Sequence, residues 1–355
     1  MSIFELVKKD IKPLDKEAME ATITRIDKLI KPIGSLGKLE DLAIQLAGIT
    51  GSVQNQFLKK CMVVMSADNG IVEEGVTCTP QFVTQWQTIN MTKGICGINV
   101  LSRHAGMDVK IVDIGINADI DNSKILDRKV RKGTSNMAKG PAMSKLEAVE
   151  AIEVGIELVR ELVESGYQII GTGEMGIGNT STSSAILMSF SGLSSDLVVG
   201  KGAGLTEEDF TNKKSVIEKV LEINKPQKED PLDVLSKVGG FDIAGLVGCY
   251  LGAAYYRIPI IIDGFISAAA ALVAYKINSI TREYMIPSHN SAEPGFKWMM
   301  KEIGLSPILD LNMRLGEGTG CPLVFNIIEA ATKIVAEMAT FEEAELKEDF
   351  LVDIR

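Results

Sequence analysis

The stretch Met313-Arg314-Leu315-Gly316-Glu317-Gly318-Thr319-Gly320 sets one carboxylate between two glycines, with a third close behind. Glycine has no Cβ, so a ligand or a second backbone can approach Glu317 from both sides. A general base that must touch its substrate needs that access. Turn chemistry alone also places glycines around a charge. A second carboxylate, Glu174, shifts the balance, because it too lies among glycines, in the run Gly171 to Thr182. That run follows an apolar strand-like segment and leads into Ala185 to Met188. Glycines ahead of a helix start expose N–H groups beside its positive end, which makes an anion site, most naturally for phosphate. Gly176, Gly178, Asn179 and Thr180 are the candidates.

Gly200-Lys201-Gly202-Ala203-Gly204 forms a second glycine cluster, followed by Lys213 and Lys214. A monophosphate held between two glycine loops and a lysine is chemically sound, since charge-assisted contacts are strong. Gly202, Ala203, Gly204 and Lys213 join the candidates. A solvated helix face is the other fate open to the paired lysines. Asp242 and Asp263 lie in apolar surroundings and must be paired or hydrogen-bonded. Ribose hydroxyls and backbone N–H groups are equally suitable partners. His104 sits in a helix-like segment. His289 sits at a strand end and is the better site candidate.

Gly171, Gly173 and Gly176 also fit the GxGxxG dinucleotide pattern, with Asp196 at the distance of a ribose-binding acid. An NAD-dependent oxidoreductase is therefore the rival. Against it, Glu174 would repel a pyrophosphate, and Asp196 precedes the apolar Leu197-Val198-Val199 instead of ending a strand. No GxSxG elbow and no GxxxxGK[ST] loop occurs.

The chain has 355 residues, 46% hydrophobic and 24% charged, with a net charge of −10. That composition is globular, and the acidic balance argues against nucleic acid or an anionic membrane as partner. The five cysteines are widely spaced without a CxxC, and there are two histidines. Reduced thiols in the cytoplasm are expected, with no metal site and no cofactor. No apolar segment resembles a signal peptide. Ile258 to Tyr275 is too short for a confident membrane span and carries Asp263. It reads as a buried strand and a buried helix.

The elements that position these residues alternate. Short apolar runs at Cys61–Ser66, Val109–Gly115, Tyr167–Ile170, Pro259–Ile262 and Tyr284–Pro287 end in polar or glycine turns. Helix-length segments, such as 145–165 and 212–224, lie between them. This pattern predicts an α/β fold, a Rossmann-like, mostly parallel sheet flanked by helices, with its ligands at the carboxyl ends of the strands. The first 50 residues read as helices, one capped by Asp15. Residues 323–345 read as one long helix, with Pro322 suited to its start. The expected division is a small helical domain from both chain ends, residues 1–55 with 322–355, and a large α/β catalytic domain, 56–321.

The motifs now in hand resemble one family. They are Lys31 to Gly37, Ala67 to Val76, Asn90-Met91-Thr92, Gly171 to Thr180, Leu235 to Asp242, Asp263-Gly264-Phe265, Ile286 to His289 and Met313 to Gly320. In this order, over nearly the whole chain, they resemble the nicotinate-nucleotide:dimethylbenzimidazole phosphoribosyltransferases. The resemblance implies transfer of phosphoribose from nicotinate mononucleotide to 5,6-dimethylbenzimidazole, giving α-ribazole 5′-phosphate and nicotinate. It implies Glu317 as the general base, with Glu174 assisting or positioning the acceptor. It also implies a homodimer. Asp242, Asp263 and Ser291 are expected near phosphate and ribose. Thr79, Val83, Trp86, Gln87, Met175 and Leu315 are expected around the base. Trp86 is bulkier than the aliphatic residue expected there. It would stack on an aromatic base, narrow the pocket, or belong to the core, so adenine, other benzimidazoles and phenols stay open as acceptors. A catalytically silent nucleotide-binding paralogue is a further reading, opposed by the intact Glu317.

Overall fold

The computed structural model describes residues 2–202, 204–347 and 352–355. Six strands form one fully parallel sheet: β1 (Lys60–Ala67), β2 (Asp108–Gly115), β3 (Ile125–Asp127), β4 (Ile169–Met175), β5 (Ile260–Ile262) and β6 (Met285–Pro287). Their spatial order is β3-β2-β1-β4-β5-β6. The chain therefore runs outward from β1 in one direction and then outward from β4 in the other. The crevice where the order reverses, between the carboxyl ends of β1 and β4, is where such sheets bind ligands.

The sheet is buried on both faces, and strand side chains alternate between two cores. Cys61, Val63, Met65 and Ala67 of β1 face one core; Met62 and Val64 face the other. On the first side lie the helices Ile3–Asp10, Lys145–Glu164, Phe241–Tyr255 and Phe265–Ile277. Two of these come unusually close. A Cβ at Gly155 would sit 2.0 Å from Gly245 O, and one at Gly248 would sit 1.9 Å from Ile152 O. The second face is covered by Lys16–Asp27, Lys38–Thr50, Gly97–Ala105 and Gly320–Glu337. Asp15 caps its helix as expected, accepting from Ala18 N. Arg25 ties the chain's two ends together by donating to Val335 O and Met338 O.

Several expectations need correction. Strand β4 does not stop before Gly171 but runs to Met175, so Gly171, Gly173 and Glu174 belong to the sheet. The reason is close approach: a Cβ at Gly171 would lie 2.2 Å from Met62 Sδ, and one at Gly173 would lie 2.4 Å from Glu317 O. The C-terminal helix ends at Glu337, not near 345. The helix expected from Asn212 begins at Glu207, where Thr206 caps it by accepting from Asp209 N. Strand β3 was not expected at all. Ile258 to Tyr275 is the buried strand and helix foreseen, and no described helix is long and apolar enough to cross a membrane.

Candidate active site

A cavity of about 310 Å³ opens at the carboxyl edge of the sheet, beyond the ends of β4, β5 and β6. Each wall comes from a different element. Glu174 and Met175 end β4, where Glu174 is in register with Met65. Gly176 to Thr180 carry the chain into the helix Asn179–Ser191. Gly178 takes the N-cap with φ +92° and brings no side chain; Asn179 N and Ser181 N donate to Gly176 O and Gly178 O, while the positive end of the helix faces the cavity. Asp263 follows β5, and His289 and Ser291 follow β6. Val83 and Gln87 come from the helix Val83–Thr92. Leu315, Gly316 and Glu317 close the cleft just ahead of Gly320–Glu337.

The Glu317 segment is an arch of unusual backbone. Gly316, Glu317 and Gly318 have φ of +83°, +62° and +93° in succession. Left-handed backbone costs a residue with a Cβ roughly 1–2 kcal/mol, so Glu317 is held there by its surroundings. The arch backs onto β4 at Gly173, with no room for a methyl group between them. Glu317 is 5% exposed, and its carboxylate accepts from Gln87 Nε2 at 2.6 Å and from Ile98 N at 3.1 Å. Ile98 lies in the first turn of the helix Gly97–Ala105, so the positive end of that helix also faces the carboxylate.

Glu174 is the immediate neighbour. A Cβ at Gly316 would lie 2.7 Å from its Oε1. The Asn179 amide bridges two acids, donating to Glu174 Oε2 and, at 3.0 Å, to Asp242 Oδ2. Burial, followed by the charge of Asp242, pushes Glu174 up to about 8. Burial also raises Asp263 to about 7, against the stabilising N–H groups of Gly320 and Gly318, and raises Asp242 to about 6. Glu174 thus keeps its proton at neutral pH. His289 is buried and pulled below its usual value by desolvation, so its ring is neutral there, with Nδ1 3.0 Å from Ser288 Oγ.

At the far end, Lys213 is buried. Its Nζ donates to Thr180 Oγ1 at 2.9 Å and Gly200 O at 3.1 Å. Among the described residues it has no carboxylate in ion-pair contact. Burial lowers it to about 8, opposed by the charge of Glu293.

These shifts set a pH dependence. Glu174 (4.5 to about 8), Asp263 (3.8 to about 7) and Asp242 (3.8 to about 6) hold protons in the folded chain at pH values where the unfolded chain has lost them. The folded state therefore loses stability as pH rises from about 5 to about 8. We expect the melting temperature of the ligand-free protein to fall over that range, and Glu174→Gln to flatten the slope. A wild-type melting temperature that rises from pH 5 to 8 would contradict the shifts.

The structure brings most of the expected residues together. Thr79, Val83, Gln87, Glu174, Met175, Gly176, Gly178, Asn179, Thr180, Gly202, Asp263, Ser291, Leu315 and Glu317 all line the cavity. Lys213 stands behind Thr180, and Asp242 stands behind Asn179. Gly204 lies outside the lining, at φ +106°. Ala203 lies outside the described residues. Trp86 does not line the cavity; it is 60% exposed and packs on Phe82 with ring centroids 4.6 Å apart. Its helix turns Val83 and Gln87 inward, and a residue one position before Gln87 points elsewhere. His289, the site candidate at a strand end, lines the cavity as expected. Thr77, Glu293 and Arg314 line it without having been singled out. Of these, Arg314, beside the glycine–acid–glycine run, is the one that position alone could have flagged. The dinucleotide reading fails on geometry. Two of its glycines lie inside β4, and Asp196 opens the four-residue helix Ser195–Val198 and pairs with Lys214.

A parallel sheet in this order, with a glycine turn and buried acids at its carboxyl edge, defines an α/β enzyme of the nucleotide-handling kind. A family model described as phosphoribosyltransferase matches residues 11–346, and the chain belongs to that family. It is 55% identical over 347 residues to the nicotinate-nucleotide–dimethylbenzimidazole phosphoribosyltransferase of Clostridium acetobutylicum, covering 98% of each chain. It is 54% identical to the enzyme of the same name from Clostridium tetani, over 100% of this chain and 98% of that one. Among solved structures it resembles CobT from Thermus thermophilus, with a TM-score of 0.89, 36% identity, and coverage of 93% of this chain and 99% of that one.

Proposed function

We propose that this protein transfers phosphoribose from nicotinate mononucleotide to 5,6-dimethylbenzimidazole or a related lower-ligand base. The products are α-ribazole 5′-phosphate and nicotinate, for assembly of the cobamide nucleotide loop. The observation that carries this reading is the pairing of Glu317 and Glu174 in one cleft whose other end offers a glycine turn, the positive end of a helix and a buried lysine.

In this reading the 5′-phosphate sits against Gly176 to Thr180 and Gly202, with Lys213 behind Thr180 supplying positive charge. A buried cation without an ion-pair partner is costly, and a phosphate offsets that cost. Ser291 faces the ribose. Asp242 acts through Asn179. Thr79, Val83, Gln87, Met175 and Leu315 wall the acceptor base, and Trp86 stays outside. Glu317 takes the azole N–H proton while the ring nitrogen bonds to C1′. The C1′–N bond of the pyridinium breaks, its electron pair returns to the ring nitrogen, which becomes neutral, and nicotinate leaves as its carboxylate anion. Attack opposite the leaving group turns a β-nucleotide into an α-nucleotide. Positive charge developing on the ribose is stabilised by the surrounding acids. Burial shifts Glu174 toward its protonated form, which lessens the negative charge beside Glu317. No metal or cofactor takes part.

The reading includes a homodimer, supported by the exposed Phe82–Trp86 pair near the cleft, and a cytoplasmic location, in keeping with the free cysteines. It also includes a small helical unit, 1–55 with 322–355, beside a catalytic unit, 56–321, supported by the contacts of Arg25 with Val335 and Met338. The purified chain, given nicotinate mononucleotide and dimethylbenzimidazole, is expected to release nicotinate and form a product of α-ribazole phosphate mass. Nucleotide binding without nicotinate release would leave the silent paralogue in its place. Running adenine and phenols as alternative acceptors would define the base.

A further inference from the structure

We infer that Asp263 is the positioning residue that locks the Gly316–Glu317–Gly318 arch, and so fixes where Glu317 meets the acceptor base. The inference rests on the function proposed above and assigns Asp263 a role other than holding ribose. Its two carboxylate oxygens are already engaged. Gly318 N donates to Oδ2 at 3.1 Å and Gly320 N donates to Oδ1 at 2.6 Å. These two amides bracket the end of the arch, where three left-handed residues give way to the helix Gly320–Glu337. The helix start has no side-chain cap of its own, since Thr319 makes no capping hydrogen bond. Asp263 therefore caps it from another element, the turn after β5. Gln87 and Ile98 hold the Glu317 side chain, Thr319 Oγ1 donates to Gly316 O at 2.8 Å within the arch, and Gly173 behind it and Gly97 beside it give steric support. Asp263 is the side chain from another element that accepts from two backbone N–H groups at the end of the arch. It is buried, and the strand it follows, β5, is paired to β4, so arch and Glu174 share one rigid frame.

A double-mutant cycle tests this, with nicotinate mononucleotide and dimethylbenzimidazole as probes. Asp263→Asn keeps the shape but sets an amide N–H against a backbone N–H. It should lower kcat about 100-fold, as a misplacement of about 1 Å does. The Kd for nicotinate mononucleotide, measured by calorimetry, should stay within about twofold. Added to Glu317→Gln, it should cost nothing more, because it acts only through Glu317. A loss of nucleotide affinity, or a full extra loss in the double mutant, overturns the inference in favour of a ribose ligand. Asp263→Glu is the second variant; it keeps the charge, misplaces the oxygens and should show the same split. A third measurement uses the wild-type protein alone. The Gly318 and Gly320 amides should exchange slowly with deuterium, with or without nicotinate mononucleotide. Nucleotide-induced deprotection would show Asp263 releasing them and would overturn the inference. A wild-type protein that turns over no nucleotide sinks the proposed function itself; an active wild type with a fully active Asp263→Asn sinks only the assignment of Asp263.

Discussion

Glu317→Gln is expected to lower turnover with dimethylbenzimidazole by a factor on the order of 10² to 10⁴, the range general-base catalysis supplies. The fold should survive. The amide has the shape of the carboxylate, and its oxygen can keep the Ile98 N–H. Gln87 can turn its own amide so that its oxygen faces the new NH₂ group. What disappears is proton affinity. Nucleotide binding should hold, because the phosphate end of the cleft is untouched. Steady-state kinetics beside a thermal melt separates the outcomes. Full activity in a folded variant would remove Glu317 from the chemistry.

The second large effect is expected at a residue without a side chain. Gly173→Ala places a methyl group 2.4 Å from Glu317 O and 2.8 Å from Glu317 C. Both atoms are backbone, so neither can swing aside. Either β4 bends or the arch moves by about 1 Å, and displacement on that scale can cost about 100-fold in rate. Overpacking at a buried contact costs about 1–3 kcal/mol in stability. We expect both losses together, read as a lower kcat and a lower melting temperature. A variant with wild-type values of both would mean that the arch is slack and that the Gly173 contact does not set the position of Glu317.

Much of the framework could be read from residue order. β1, β2, β5 and β6 were legible as apolar runs ending in turns, and so was the position of the chemistry beyond their carboxyl ends. The two acids were legible because glycines crowd around them. What misled was the glycine itself. Gly171 and Gly173 punctuate a sequence as a loop does, but here they are strand residues thinned on one face of the sheet to admit Met62 and the arch. Close approach between distant segments leaves no local signature. β3 escaped because Ile125–Asp127 is three residues long, with one buried position. The outward turn of Trp86 was also hidden, since adjacency to Gln87 in sequence means divergence on a helix. Asp263 was legible as an acid that needed partners, but not which of two kinds it had. Its partners lie 55 and 57 residues further along the chain.

The arch and the helix behind it have a consequence for biosynthesis. Glu317 runs directly into Gly320–Glu337, and that helix is seated against segments near the opposite terminus, as in the Arg25–Val335 contact spanning 310 residues. A ribosome must therefore deliver almost everything described here before the reactive acid has anywhere to rest. Nascent chains can assemble the sheet early, yet they stay inert until the last helix docks. Contacts of such long range are slow to form, so activity should lag behind compaction during refolding.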